Sequence, residues 1–139
     1  MGEVRGSFII QNEADIIMAE AGYIARDKIR QVETSGLVDT GAVMLMLPQD
    51  MVEMLGLPVW RKVIVTYADE RKEARDVAGR IRIGLGDRFM FTDCIVGPPL
   101  CEPLIGQIIL EALDLIVDPG KQTIGPRPES PYLPLLKMK

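Results

Sequence analysis

Short runs of alternating apolar and polar residues occur along most of the chain and predict strands. Strict alternation is found at Arg80-Ile81-Arg82-Ile83, as expected for a strand with one buried face. Other segments of strand-like composition are 7–11, 30–38, 44–47, 62–67, 74–85, 89–96 and 115–117. A further apolar stretch covers 16–24 and contains a turn near Gly22. The pattern therefore predicts a mostly β domain built from many short strands.

Turn and helix signals divide these strands. Pro48 precedes a helical pattern over 49–55, and Gly56 is placed to end that helix. A second short helix is predicted over 108–115. Asp69-Glu70-Arg71-Lys72 forms a charged turn between two strands, which indicates a hairpin. Together these signals predict a compact, mostly β barrel with one or two short helices.

The length of 139 residues is typical of one domain. We expect that domain to cover residues 1–124 and a proline-rich tail to cover residues 125–139. The tail contains prolines at 126, 128, 131 and 134, which favour an extended and partly mobile chain.

Charge and hydropathy exclude several classes of partner. A net charge of −4 and a pI near 4.9 argue against nucleic-acid binding, which normally requires a basic surface. No apolar run approaches the roughly 18 residues of a membrane span, so no membrane partner is expected. The N-terminal residues lack the apolar core of a signal peptide, and we therefore expect a cytoplasmic protein.

The absence of histidine restricts the chemistry available to the chain. Ser-His-Asp triads, Cys-His dyads and histidine metal sites cannot be built. Cys94 and Cys101 do not form a C-x-x-C motif, and the apolar neighbours of Cys94 predict a buried thiol. No metal and no cofactor are expected, which leaves carboxylates, hydroxyls and lysines for catalysis.

The motif with chemical content is Asp39-Thr40-Gly41, which follows the apolar pair Leu37-Val38 and precedes Ala42. Average composition gives such a triplet behind two apolar residues a chance of about 1 in 200 in a chain of this length. The turn presents a carboxylate from a rigid strand end, and Gly41 allows another backbone to approach closely. The same three residues also suit an Asx turn with a purely structural role.

The segments around this motif resemble the retroviral-type, or retropepsin-like, aspartic peptidases, particularly their small prokaryotic members. The resemblance extends over residues 5–125 and is most specific at 37–48 and 104–119. The helix ending at Leu55-Gly56-Leu57 matches the stretch after the active site in that family. The segment 63–69 is similar to its flap hairpin, and Leu104-Ile105-Gly106 is similar to its second half-motif.

This resemblance implies a retropepsin-like closed β-barrel with a flap hairpin that acts as a homodimer. It implies that Asp39 is catalytic, supported by Thr40 and Gly41. It also implies that a peptide or protein substrate contacts four residues, namely Ala42, Tyr67, Ala68 and Asp69. The expected function is an aspartic endopeptidase that activates water with an aspartate pair. The later half-motif, 104–106, contains no aspartate, so the second carboxylate must come from a second chain.

Two features depart from the family pattern. Viral members often place an acidic residue after the alanine and an arginine after the second glycine, where this chain has Val43 and Gln107. The predicted flap turn is charged and contains no glycine, although closing flaps usually need flexibility. These features support an alternative, a catalytically inactive dimer that binds peptides or a protein partner. A third possibility is a structural β-barrel module whose tail docks elsewhere.

Overall fold

The computed structural model of the chain describes residues 3–138. Its strands are β1 Arg5–Asn12, β2 Gln31–Val38, β3 Met46–Pro48, β4 Val59–Thr66, β5 Lys72–Leu85, β6 Arg88–Gly97, β7 Leu104–Ile105, β8 Leu115–Asp118 and β9 Thr123–Pro126. Its α-helices are α1 Glu13–Glu20, α2 Gln49–Met54 and α3 Gln107–Ala112, and Arg26–Lys28 forms a single 3-10 turn. Within this part of the chain, no helix has both the length and the apolar character required to cross a bilayer.

Seven strands form the main sheet in the order β1-β2-β7-β3-β6-β5-β4. β1 pairs with β2 and also with β5, and both pairings are antiparallel. The β2–β7 and β3–β6 pairings are parallel. β8 and β9 form a separate antiparallel pair. The mostly β architecture predicted from the sequence is confirmed.

The core lies between the strands of the main sheet and is closed by α2 and α3. Ile81 and Ile83 are fully buried while Arg80 is exposed, which confirms the alternation predicted for β5. Phe8 and Ile10 of β1 are also fully buried and belong to the same cluster. Cys94 is fully buried, as predicted, and desolvation raises the pKa of its thiol to about 12.

The apolar stretch at 16–24 does not continue the strand pattern, because most of it belongs to α1. The prediction of one or two helices was therefore wrong, since the described residues contain three. Asn12 explains the difference: its side chain accepts a hydrogen bond from the amide of Asp15 at 3.0 Å and caps the helix. The Asp15 carboxylate in turn binds Arg30 at 2.8 Å, and this pairing lowers the pKa of Asp15. The helix cap at Asn12 thus favours a helix in this stretch, although its apolar residues are also compatible with a strand.

α2 begins at Gln49, as predicted, and ends at Met54, one residue earlier than predicted. Pro48 is its N-cap, and Gly56, with φ of +68°, follows its C-terminus. The positive φ favours glycine here, and a Cβ at residue 56 would lie 1.9 Å from Arg30 Nη1, so a side chain would also displace the Arg30 guanidinium.

The proline-rich segment after β9 is attached to the domain by two side chains. Arg88, which is buried, donates to the carbonyl oxygens of Leu113, Asp114 and Ser130. The Asp114 carboxylate accepts bonds from Ser130 Oγ, from Arg127 Nε and from the amide of Leu135. Residue 125, the predicted start of the tail, lies inside β9, and these contacts hold the segment 127–135 against the domain.

Candidate active site

Asp39 lies immediately after β2 and is the first residue of a tight turn. Its carboxylate Oδ1 accepts a hydrogen bond from the amide of Gly41 at 2.9 Å, and its carbonyl accepts one from the amide of Ala42 at 3.1 Å. Asp39 and Ala42 are half-buried, whereas Thr40 and Gly41 are exposed. The Asx turn therefore orients one carboxylate oxygen and leaves the turn open to a partner molecule.

β7 and the preceding Pro103 bind this turn and the end of β2 through main-chain hydrogen bonds. The amide of Asp39 donates to the carbonyl of Ile105 at 3.0 Å, and the amide of Leu37 donates to the carbonyl of Pro103 at 2.9 Å. In the parallel register, Leu37 lies opposite Leu104 and Val38 opposite Ile105. The two segments in which an apolar pair precedes a glycine turn, 37–41 and 104–106, are thus direct neighbours.

Two glycines allow these segments to come so close. A Cβ at Gly106 would lie 2.5 Å from the carbonyl oxygen of Met44. A Cβ at Gly36 would lie 2.7 Å from Cγ1 of Ile105. The Gly106 contact is with backbone, so this position is restricted to glycine by space, whereas a side chain at residue 36 would have to displace Ile105.

The start of α3 binds the residues that follow the turn. The amide of Gln107 donates to the carbonyl of Ala42 at 2.7 Å, and the amide of Ile108 donates to the carbonyl of Val43 at 3.0 Å. Val43 and Gln107 occupy the positions at which viral members of the family that the sequence resembles often carry an ion pair. Here main-chain hydrogen bonds join the same two segments, and the side chain of Val43 is 65% exposed.

The predicted flap is the β4–β5 hairpin, and its tip contains Tyr67, Ala68 and Asp69. The amide of Tyr67 donates to the carbonyl of Arg71, and that of Glu70 donates to the carbonyl of Tyr67, both at 2.9 Å. Asp69 Oδ1 accepts from the amide of Arg71 at 3.1 Å. Glu70 adopts φ of +67°, a left-handed conformation that favours glycine. The glycine-free turn therefore forms, with one residue in an unfavourable conformation.

Two arginines hold the Tyr67 side chain. The Arg71 guanidinium lies over the Tyr67 ring, 4.5 Å from its centroid. Arg75 Nε donates to the Tyr67 hydroxyl at 3.3 Å, while its Nη2 binds Glu73 at 2.7 Å. The hydrogen bond to Tyr67 is the largest of the effects that raise the pKa of Arg75. The flap tip is thus stiffened by contacts within its own hairpin.

The structure places the sequence-predicted residues in two groups. Asp39, Thr40, Gly41 and Ala42 share one turn, and Tyr67, Ala68 and Asp69 share the hairpin tip. Over residues 3–138, no hydrogen bond or ion pair connects the tip to the turn. In the same range, no cluster of three or more acidic or cysteine side chains could hold a metal ion.

Sequence reasoning missed the residues that support each group. The amides of Gln107 and Ile108 act through the main chain, so no side-chain motif reveals them, although the half-motif at 104–106 marked the segment. Arg75 could have been found from the hairpin pattern, because Glu73 and Arg75 are two residues apart in β5 and so lie on the same face.

Comparison with known proteins agrees with this geometry. A family model described as aspartyl protease matches residues 26–110, which include both the Asp39 turn and the β4–β5 hairpin. Among solved structures, the chain is similar to the EIAV protease determined in complex with the inhibitor HBY-793. The TM-score is 0.55 at 16% identity, and the match covers 81% of this chain and 88% of that protein. This similarity is one of fold. No curated protein sequence gives a significant match.

Proposed function

The chain belongs to the aspartyl protease family and is a retropepsin-like peptidase, and from this premise we propose that Asp39 is its catalytic carboxylate. The observation that carries the proposal is the Asx turn, in which the Gly41 amide holds the carboxylate at the end of β2. Thr40 and Gly41 are exposed beside it, as a turn that meets both a partner chain and a substrate requires.

The second carboxylate of the site comes from a second copy of the chain. When the two half-motifs are aligned, the position of Asp39 in the first is taken by Gly106 in the second. A side chain at residue 106 would collide with the backbone of Val43 and Met44, so a single chain has no room for an aspartate there. A symmetric dimer places the same turn on both sides of its twofold axis and so supplies the pair.

The paired carboxylates act as acid and base on the peptide bond. Two such groups about 3 Å apart repel by roughly 5 kcal/mol at an effective dielectric near 20. They therefore share one proton, as is established for aspartic proteases. The ionised Asp39 removes a proton from a water molecule, whose oxygen attacks the scissile carbonyl carbon. The protonated Asp39 of the second copy transfers its proton to the carbonyl oxygen, which becomes a hydroxyl of the tetrahedral intermediate. The first Asp39, now protonated, then gives its proton to the amide nitrogen as the C–N bond breaks, and the second takes back the hydroxyl proton as the carboxylic acid product forms.

The substrate is an extended peptide that lies between the Asp39 turn and the flap tip of each chain. β4 is the last strand of the main sheet, so one edge of the flap hairpin carries free main-chain donors and acceptors. An extended peptide can pair with such an edge, while its side chains contact neighbouring residues. We assign Ala42, Tyr67, Ala68 and Asp69 to these substrate contacts.

The strand pairings also support the closed barrel expected from the sequence. β1 pairs with β2 at one end of the strand order and with β5 near the other. A closed barrel leaves few unpaired strand edges, and the edge of β4 is the one that we assign to the substrate.

A catalytically inactive dimer that binds peptides is the second candidate. The observation in its favour is the flap tip, where Arg71 and Arg75 hold Tyr67 and Glu70 replaces the usual glycine. A hairpin held in this way bends less readily over a substrate.

Digestion of a peptide library between acidic and neutral pH separates the two candidates. The wild type and Asp39→Asn are compared at equal concentration, with Asp27→Asn, an exposed aspartate in the 3-10 turn, as the matched control. Cleavage by the wild type and the control but not by Asp39→Asn supports the peptidase. Peptide binding without cleavage by the wild type supports the inactive dimer.

A further inference from the structure

The alternation of side chains along β2 shows which face of the sheet carries Asp39. Val38 packs against the core and its neighbour Ile105 is fully buried, so the core lies on their side of β2 and β7. Leu37 and Asp39 precede and follow Val38 and therefore project to the opposite face. We call this side of the sheet, defined by Leu37 and Asp39, the Asp39 face.

Two charged side chains flank Leu37 on the Asp39 face. Arg5 of β1 is directly opposite Leu37 in the antiparallel register, and opposite residues project to the same face. Glu102 lies on the other side of Leu37, because the next residue, Pro103, accepts a hydrogen bond from the Leu37 amide at 2.9 Å. The Arg5 guanidinium binds both carboxylate oxygens of Glu102, with Nη2 3.1 Å from Oε2. The ion pair therefore crosses the end of β2 two residues before Asp39.

The ion pair is accessible and belongs to a group with a net negative charge. The side chains of Arg5 and Glu102 are 42% and 38% exposed. Glu3 is a second acidic partner of Arg5, 3.3 Å from its Nη2 atom, so one arginine faces two glutamates. The hydrogen bond from Arg5 lowers the pKa of Glu102, which keeps its carboxylate ionised on the acidic side of neutrality. A charged acceptor is thus present beside Asp39 in the pH range in which the aspartate pair works.

Strand geometry gives the distance from this ion pair to the point of reaction. This step rests on the proposed function, in which the bond to be cleaved lies over Asp39. Leu37 is two residues before Asp39, which corresponds to about 7 Å along a strand. Side chains on one side of an extended peptide repeat with the same spacing, so a side chain near the cleaved bond reaches the ion pair. Each copy in the dimer contributes one such half-site, which consists of Asp39 and the Arg5–Glu102 pair.

We infer that Glu102 determines charge specificity, and that it selects extended peptides with a lysine or arginine within three residues of the cleaved bond. A carboxylate has acceptor sites for more than one donor, so Glu102 binds a second cation beside Arg5. A basic side chain of the peptide compensates the excess negative charge of the group, whereas an acidic side chain is repelled by it. The net charge of −4 on each chain favours the same encounter, because an acidic protein attracts basic peptides.

The test measures peptide binding to Asp39→Asn, so that no peptide is consumed. The tightest-binding sequence of a peptide library is labelled with a fluorophore and synthesised with lysine, norleucine or glutamate at each of the three positions on either side of its central bond. Fluorescence anisotropy should show a position at which the lysine peptide binds about threefold or more tightly than the norleucine peptide, and the glutamate peptide more weakly than both. The advantage of lysine should shrink in high salt.

Variants of the two partners, made in the Asp39→Asn chain, separate specificity from a structural role. Glu102→Gln should abolish the advantage of lysine, whereas Arg5→Gln, which frees the Glu102 carboxylate, should increase it. If the ion pair only joins β1 to the segment before β7, both variants weaken the binding of all three peptides alike. The matched control is the exposed pair in which Arg80 Nε donates to Glu13 at 3.0 Å. Glu13→Gln and Arg80→Gln should leave the ranking of the peptides unchanged.

Equal binding of the three peptides, tighter binding of glutamate, or a parallel loss in Glu102→Gln and Arg5→Gln would overturn the inference. Failure of every peptide to bind would overturn it as well. These results are distinguishable from a failure of the proposed function, which is tested by cleavage. If the wild type cleaves peptides but charge has no effect on binding, only the role of Glu102 is wrong. If the wild type cleaves none but the ranking is found, the peptidase is wrong and Glu102 selects peptides for the inactive dimer.

Discussion

Ile105 packs so closely against Gly36 that a methyl group at residue 36 would lie 2.7 Å from its Cγ1 atom. Gly36 lies three residues before Asp39, whose amide donates to the carbonyl of the same isoleucine. The position of the candidate catalytic carboxylate thus depends on a glycine that has no chemical role of its own.

Gly36→Ala should lower the free energy of unfolding by about 1–3 kcal/mol, because overpacking displaces Ile105 or β2. Urea unfolding followed by circular dichroism measures the change. The control is Gly125→Ala, where an added Cβ meets no atom within 4 Å and the expected change is within about 0.5 kcal/mol. In a double-mutant cycle, Ile105→Ala removes both contacting atoms, so the loss in the double variant should be smaller than the sum of the two single losses. Equal effects at residues 36 and 125 would contradict the close contact.

Cleavage activity should depend on protein concentration, because each chain supplies one aspartate. Specific activity, measured with a fluorogenic peptide, should fall as the protein is diluted below its dimer dissociation constant. The pH profile should be a bell on the acidic side of neutrality, and its two limbs belong to the pair of carboxylates. Constant specific activity in a range where sedimentation shows monomers would contradict the shared pair.

Glu70→Gly should relieve the left-handed conformation at the flap tip. The left-handed conformation lowers the stability by roughly 1–2 kcal/mol when the residue is not glycine. Glycine removes that cost, but it loses more conformational entropy on folding, which offsets part of the gain. We therefore expect stability to rise by up to about 1 kcal/mol. Hydrogen exchange at 67–71 should be faster than at the Asp39 turn in both proteins. The control Asp69→Gly should be destabilising, since it removes the acceptor for the Arg71 amide.

The anchor at Asp114 should make stability sensitive to acid. Hydrogen bonds from Ser130, Arg127 and Leu135 lower the pKa of Asp114 from 3.8 to about 2 in the folded chain. A depressed folded pKa means that the contribution is complete above the unfolded value and is lost as pH falls from about 4 to about 2. Asp114→Asn should remove this dependence. Urea unfolding between pH 2 and pH 6 tests it, and equal slopes for the two proteins would contradict the assignment.

The features set by local sequence were predictable. They depend on neighbours in the chain or on a simple period of apolar residues. They are the alternation at 80–83, the Pro48 and Gly56 boundaries of α2 and the burial of Cys94. The β4–β5 hairpin was also predicted, although its strands extend further than expected. A cytoplasmic location and the division at residue 124 stay predictions.

The features set by distant contacts were not predictable. α1 was missed because its cap works together with Asp15 and Arg30, and the apolar run at 16–24 suits more than one structure. The support of Asp39 by Ile105, and of Ala42 by Gln107, involves main-chain groups that carry no residue-specific signal. The anchoring of 127–135 was missed because proline content indicates an extended chain and gives no sign of the Arg88 and Asp114 contacts that hold it.

The binding of the Asp39 turn by residues 105–108 has a consequence for the order of events during synthesis. Asp39 is translated before residues 105–108, whose carbonyl and amides bind its turn from a distant part of the chain. Such long-range contacts form late in folding, because a long intervening loop must close first. The Asp39 turn therefore gains its tertiary support only when the segment 105–108 is available to bind it. The arrangement described for the half-site therefore requires that α3 has docked against Ala42 and Val43.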